Sequence, residues 1–268
     1  MPDWLKIVRG DAPLIVSMPH TGTEIPSQIQ STLVSPWLAR KDADWHVDKL
    51  YDFAPALGAT LIRTAISRSV IDANRDPCGK SLYPGQATTE LCPTTSFDGE
   101  PLYKGNSPGE AEIARRRERY FDPYHSAIAS EIARLKEKHR RVVLFDTHSI
   151  RSRIPRLFEG ELPDFNIGTN SGATCDARLT GAVEAACAAG DFSRVVNGRF
   201  KGGWTTRHYG RPQDGVNAIQ LELACRGYMD EPDDPSPLNW PTPYSEARAA
   251  KMRAVLQRVL AACSAFAS

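Results

Sequence analysis

Val142-Val143-Leu144-Phe145-Asp146-Thr147-His148-Ser149 begins with a short apolar run and ends in polar side chains. A continuous run of this kind predicts a strand buried on both faces, with His148 just past its carboxyl end. Working outward, Leu14-Ile15-Val16-Ser17-Met18 reads as a first buried strand and Val216 to Leu223 as a late one. Thr60-Leu61-Ile62-Arg63 and Val70-Ile71-Asp72 are further strand candidates. Between them lie helical patterns. Ala43 to Leu57 carries Val47, Leu50, Tyr51, Ala54 and Leu57 at helical spacing, closed by Gly58. A long amphipathic helix uses Ile113, Tyr120, Phe121, Tyr124, Ile128, Ile132 and Leu135, with Pro123 as a kink. A helix near 176–189 and a terminal one from Tyr244 to Ala262 complete the pattern. This alternation predicts an α/β fold: a mixed, mostly parallel central sheet with helices on both faces, forming one domain over residues 1–268.

The formal net charge of +1 gives no general attraction to nucleic acid or to an anionic membrane. No apolar run approaches the roughly 20 residues needed to cross a bilayer, and the N-terminal residues lack the order of a secretory signal. A cytoplasmic protein is expected. The six cysteines are scattered with no CxxC pair, so reduced thiols are expected rather than a zinc knuckle or a disulfide framework. Residues 80–109 hold several Pro, Gly and Thr and little periodicity; so long an excursion from a compact domain suggests a functional lid. Residues 231–243 read as a surface loop.

Three polar residues fall at the ends of three apolar runs: His20 after Leu14–Met18, His148 after Val142–Asp146, and Glu222 in Ile219-Gln220-Leu221-Glu222-Leu223. In open α/β sheets, ligands bind beyond the carboxyl ends of the strands. Two imidazoles and a carboxylate converging there would suit a catalytic metal site with one position open for water. Taken singly, each histidine is more often a hydrogen-bonded loop residue, whereas Glu222 has apolar neighbours and needs a partner or a task. A further ligand is sought in Asp44 or His46, with Glu24 as a rival; Asp44 also suits a helix N-cap. His125 and His139 read as structural or exposed. Arginines are a second theme. Arg68 and Asn74-Arg75 flank the Val70–Asp72 run, and further donors occur at Arg151 and at Arg207-His208-Tyr209. Guanidinium forks suit carboxylates, although most loop arginines form surface ion pairs of little consequence.

Ser17–His20, Asp42–His46, Ser67-Arg68 through Asn74-Arg75, Asp146–Arg151, Asn197–Gly203, Arg207–Gly210 and Gln220–Leu223 together resemble the N-formylglutamate amidohydrolases, in order, over about residues 14–230. That family is in turn similar to zinc carboxypeptidases and aspartoacylases. The resemblance implies hydrolysis of N-formylglutamate to formate and glutamate, ending one branch of bacterial histidine degradation. It also implies one divalent metal ion, Zn2+ by preference, held by His20, His148 and a carboxylate, with Glu222 as base and Asn74-Arg75 gripping a substrate carboxylate. The relatives place a Glu three residues after the first histidine. Thr23 stands there instead, so Asp44 is taken as the carboxylate ligand, with His46 or Glu24 as alternatives. Arg68 or His208 would stabilise the oxyanion, and Arg151 or Arg207 would hold the second carboxylate of a small acidic substrate. The competing readings are an aspartoacylase-like deacylase of another N-acyl acidic amino acid and a non-catalytic binding protein. A carboxylate such as Glu222 facing an anionic ligand argues against the last.

Overall fold

The structure, a computed structural model, describes residues 2–268. Seven strands form one sheet: β1 (Leu5–Val8), β2 (Leu14–Met18), β3 (Thr60–Thr64), β4 (Val142–Ile150), β5 (Phe165–Gly168), β6 (Arg194–Val196) and β7 (Val216–Ala224). Their spatial order is β1-β3-β2-β4-β7-β5-β6. The central pairs β3–β2, β2–β4 and β4–β7 are parallel, as is β5–β6. β1 is antiparallel to β3, and β5 to β7. The sheet is therefore mixed and mostly parallel, as the alternating pattern predicts. β4 runs several residues beyond the apolar stretch that announces it, so His148 lies within the strand rather than just past it, while Glu222 lies within β7 as expected.

Helices are α1 (Ser27–Gln30), α2 (Val47–Leu50), α3 (Glu110–Arg116), α4 (Asp122–Lys136), α5 (Ala177–Ala188), α6 (Trp204–Tyr209) and α7 (Glu246–Ala267). Side chains on a strand alternate between faces, and the two faces of this sheet differ. Val143 and Phe145 of β4 share a core with Leu179 and Val183 of α5 and Leu256 and Val259 of α7. Val142 and Leu144 pack instead with Tyr124, Ile128 and Leu135 of α4. Each fully buried side chain of this kind contributes about 1.5–3 kcal/mol. Along the α4 face the composition changes with depth. Ile15, Leu144 and Ala218 are apolar, Ser17, Asp146 and Gln220 stand level with one another in the next row, and His148 faces Glu222 in the row after that.

Three local expectations need correction. Val70–Asp72 is not a strand. It follows a turn in which the Ser67 hydroxyl bonds both Ser69 Oγ and Ser69 N–H, and Val70 and Ile71 join a separate core with Ile66 and Phe121. Residues 43–57 do not form a continuous helix: His46 takes a left-handed conformation (φ 63°), leaving α2 and a 3-10 turn at Ala54–Leu57 that Gly58 closes with φ 74°. The long helix is interrupted by a π-helical segment at Arg117–Phe121 immediately before Asp122-Pro123, where the widened turn accommodates the missing proline donor. The segment 80–109 is irregular apart from isolated bridges such as Leu33–Tyr103. No helix is long and apolar enough to cross a membrane, and among the described residues all six cysteines are free.

Candidate active site

Pro19 follows β2 directly, and His20 enters a tight loop whose carbonyl accepts the Asp44 N–H at 3.0 Å. The loops bearing the two residues are thereby pinned to each other by backbone. His148 arrives from β4, and the three side chains converge. His20 Nδ1 and His148 Nδ1 lie 3.1 Å apart, and Asp44 Oδ2 is 3.1 Å from the second and 3.8 Å from the first. All three residues are almost completely buried. Asp44 caps no helix; its Oδ1 is buried without a hydrogen bond, the nearest cation being Arg68 at 3.8 Å.

Two further carboxylates fix the rings. His20 Nε2 meets Asp72 Oδ1 at 2.6 Å, and His148 Nε2 meets Asp146 Oδ2 at 2.9 Å. With Nε2–H donated in each ring, both Nδ1 lone pairs point at one another and at Asp44. Three electron-rich atoms so placed repel unless a cation sits among them, and outer carboxylates that orient histidines are a regular feature of metal sites. Burial, reinforced by Arg68, lowers the pKa of His20. Against the downward pull of burial, Asp146 and Asp44 hold His148 well above its ordinary value. Asp146 is itself held by Ser17 Oγ (2.8 Å), which contacts Tyr124 Oη at 2.8 Å.

Glu222, the register partner of His148 on β7, lies in the same cavity. Burial raises its pKa to about 7, His148 opposing and Asp44 adding to the rise. Gln220 Nε2 donates to it at 3.2 Å. The cavity is about 60 Å³, with Phe97, Tyr83, Ala87, Thr88 and Thr89 from the irregular segment as its roof. That is room for a few waters.

Of the residues expected at the site, His20, Arg68, Asn74, Arg75, His148 and Glu222 line this cavity. Arg68 donates to Asp72 at 2.7 Å, and its guanidinium lies over the Phe97 ring. Asn74 is present but committed: Nδ2 donates to Asp146 (3.0 Å) and approaches His148 Nε2 (2.8 Å), while Oδ1 accepts from Thr205 N–H (2.8 Å). Its carboxamide therefore braces Asp146, the partner of His148, and uses one of its two amide hydrogens to do so. Gly203 packs against that carboxamide so closely that any Cβ there would overlap it. The remaining expectations lie elsewhere. Arg151 is engaged by Asp98 (2.7 Å) and Asp42 (3.3 Å). Arg207 donates to the carbonyls of Gly202 and Leu82. His208 is exposed and stacked on Trp204, and the Tyr209 hydroxyl bonds the carbonyl of His125. Glu24 is exposed in a backbone bridge to Ile66, and His46 bonds the Thr242 carbonyl. Neither reaches the histidine pair. His125 is buried and structural as expected, its Nε2 on the carbonyl of Ala73.

Sequence reasoning gave no role to Asp72, Asp146, Tyr83, Phe97, Arg199 or Phe200. The two aspartates had a usable signal, since each ends or follows an apolar run where an unpartnered carboxylate is costly. A larger open groove of about 660 Å³ lies between α1 and the π-helical segment, but it contains no histidine and its Arg116 is already paired with Glu112.

A family model for N-formylglutamate amidohydrolase matches residues 12–229. The chain belongs to that family. It is 48% identical over 263 residues to an N-formylglutamate deformylase of Pseudomonas aeruginosa, covering 97% of each chain. It is 45% identical to the enzyme of the same name from Pseudomonas putida, covering 98% of this chain and 96% of that one. Among solved structures, an N-formylglutamate amidohydrolase from Ralstonia eutropha superposes with a TM-score of 0.80 at 24% identity, covering 98% of both chains. A gene product from Agrobacterium tumefaciens superposes at 0.75 with 18% identity, covering 100% of this chain and 97% of the other. At those identities the two structures speak for the α/β fold. The family itself rests on the closer sequence relatives.

Proposed function

We propose that this chain hydrolyses N-formyl-L-glutamate to formate and L-glutamate with the help of one divalent metal ion, Zn2+ by preference. The observation that carries the metal is the convergence of His20 Nδ1, His148 Nδ1 and Asp44 Oδ2, each ring backed by its own aspartate, with Asp44 Oδ1 left without a partner. Two nitrogens and an oxygen suit zinc. An ion bound there would act as a Lewis acid toward the formyl oxygen and make water more acidic.

The protein's own groups supply the rest. Glu222 takes a proton from the attacking water as the new C–O bond forms. It then returns a proton to the amide nitrogen as the C–N bond breaks, so formate and a free amine leave. A carboxyl raised to about 7 is suited to both roles near neutral pH. Arg68, buried at the cavity wall, offsets the charge developing on the formyl oxygen. Arg75 lines the same wall on the Asp72 side and provides the donor for the carboxylate beside the scissile amide. Asn74 keeps His148 in place. On the family likeness alone, we assign the reaction to the last step of one branch of histidine degradation.

Purified protein incubated with N-formylglutamate should release formate and glutamate in equal amounts. Chelator should abolish turnover, and zinc should restore it. Turnover unaffected by exhaustive chelation would remove the metal from the proposal. A tight cavity around the formyl carbon also predicts that N-acetylglutamate is poorer by about 10–200-fold. Equal rates on the two compounds would favour a broader deacylase.

A further inference from the structure

Three arginines line the cavity, but only two have carboxylates beside them. Arg68 is bonded to Asp72 and faces Asp44, and Arg75 Nε lies 3.7 Å from Asp72. Arg199 makes no ion pair within the described residues. Its Nε donates to the carbonyl of Leu157 at 2.8 Å and its Nη2 to that of Ala87 at 3.0 Å, while Nη1 finds no acceptor among them. The guanidinium lies over the rings of Tyr83 (5.3 Å) and Phe200 (5.2 Å). Two aromatic rings and two carbonyls hold the group in place without neutralising it. A half-buried cation lacking a counter-charge costs free energy until an anion arrives, and burial depresses the pKa of Arg199.

We infer that Arg199 binds the side-chain carboxylate of the substrate and sets the preference for glutamate over uncharged side chains. This rests on the deformylase reading above. The assignment of carboxylates follows from position. Arg68 and Arg75 both approach Asp72, which touches His20, so they stand at the reacting end. Arg199 lines the same cavity within charge range of Arg75 and Glu222, but it touches neither histidine nor Asp72; its contacts are Leu157, Ala87, Tyr83 and Phe200, so it is the guanidinium left for the far end of a glutamate. Preoriented guanidinium groups suit forked recognition of a carboxylate.

The test compares kcat/KM of the wild-type enzyme and Arg199→Gln on N-formylglutamate, N-formylglutamine and N-formylisoglutamine, in which the side-chain and the α-carboxylate respectively are amides. The variant should lose about 100-fold on N-formylglutamate, mostly in KM, and change little on N-formylglutamine, so that the wild-type preference between them collapses. Arg199→Lys should recover part of the loss, and it provides the same ratio if the glutamine variant fails to fold. Equal losses on all three compounds would reduce Arg199 to a structural clip between Leu157 and Ala87 and overturn the inference. Collapse of the preference against N-formylisoglutamine alone would overturn the choice of carboxylate. A wild-type enzyme inactive on N-formylglutamate would instead sink the deformylase reading, and the inference with it.

Discussion

On the floor of the cavity, His148 and Glu222 face each other on paired parallel strands. The roof, from Tyr83 to Phe97, hangs from the rest of the molecule mostly by side-chain contacts, with a backbone bond from Asp72 N–H to the Leu91 carbonyl at 2.7 Å. Floor residues are held by ladder hydrogen bonds and by a buried chain running Tyr124–Ser17–Asp146–His148. The roof is fastened differently. The Tyr83 hydroxyl donates to the Gly202 carbonyl (2.9 Å) and accepts from Lys201 N–H (3.1 Å), its ring lies between Arg199 and Arg207, and Phe97 N–H donates to Asp42 (2.7 Å). The contrast separates two needs. Groups that handle protons must not move, since preorganisation is what makes them effective. A cavity this narrow takes an acyl amino acid more readily if something above it moves.

The largest effect should come from breaking the floor at Glu222, the group we propose for proton transfer. Glu222→Gln should lower kcat by about 10²–10⁴-fold while leaving the fold and the metal content unchanged, read by formate release and elemental analysis. A variant with wild-type kcat would leave the floor without its base. Next, Asp146→Asn keeps the shape but weakens the brace on His148, and metal affinity should fall by about 10–100-fold in a chelator competition. Unchanged affinity would mean that strand pairing alone orients the ring.

Beneath the floor, His125 supports the carbonyl of Ala73, and burial lowers its pKa from 6.5 to about 3. Its folded value lies below its unfolded one, so the unfolded chain takes up the proton first. Stability is then full above about pH 6.5 and declines as pH falls from there toward about 3. Between pH 7 and 5 the loss should be about 2 kcal/mol in urea unfolding, and His125→Gln should flatten that slope. An equally steep slope in the variant would place the acid sensitivity elsewhere. Smallest of all should be the roof effect. Tyr83→Phe removes two hydrogen bonds, about 0.5–1.5 kcal/mol each. It should change KM a few-fold, leave kcat alone, and speed proteolytic cleavage within 80–89. A large drop in kcat would show that the roof takes part in the chemistry.

The floor was the legible part. Leu14–Met18, Val142–Asp146 and Val216–Leu223 are apolar runs long enough to declare buried strands, and a polar residue at the end of each drew attention to itself. His20, His148 and Glu222 therefore emerged from the pattern, and the structure gathers them around Asp44. The flanking strands were not legible. β1, β5 and β6 are only three or four residues long, and their sequences carry no sustained alternation. Helical spacing misled at 43–57, because His46 in a left-handed conformation breaks a periodicity the side chains still display. The roof and Arg199 escaped for a related reason. They sit in irregular backbone, where neighbours in space are set by single contacts such as Arg199 to Ala87 rather than by any repeat. Asn74 was legible in identity but not in its contacts: its carboxamide also reaches Asp146, His148 and Thr205 inside the protein.

The union of β4 with β7 has a consequence for how the enzyme matures. These strands are distant in the chain, with β5 and β6 between them, yet Glu222 and one of the two histidines meet only when they join. Parallel pairing of remote segments demands the closure of a long loop and is intrinsically slow. A refolding chain can therefore recover helical signal in α4 and α7 well before it can turn over any substrate, and the return of turnover dates the moment the centre of the sheet is complete.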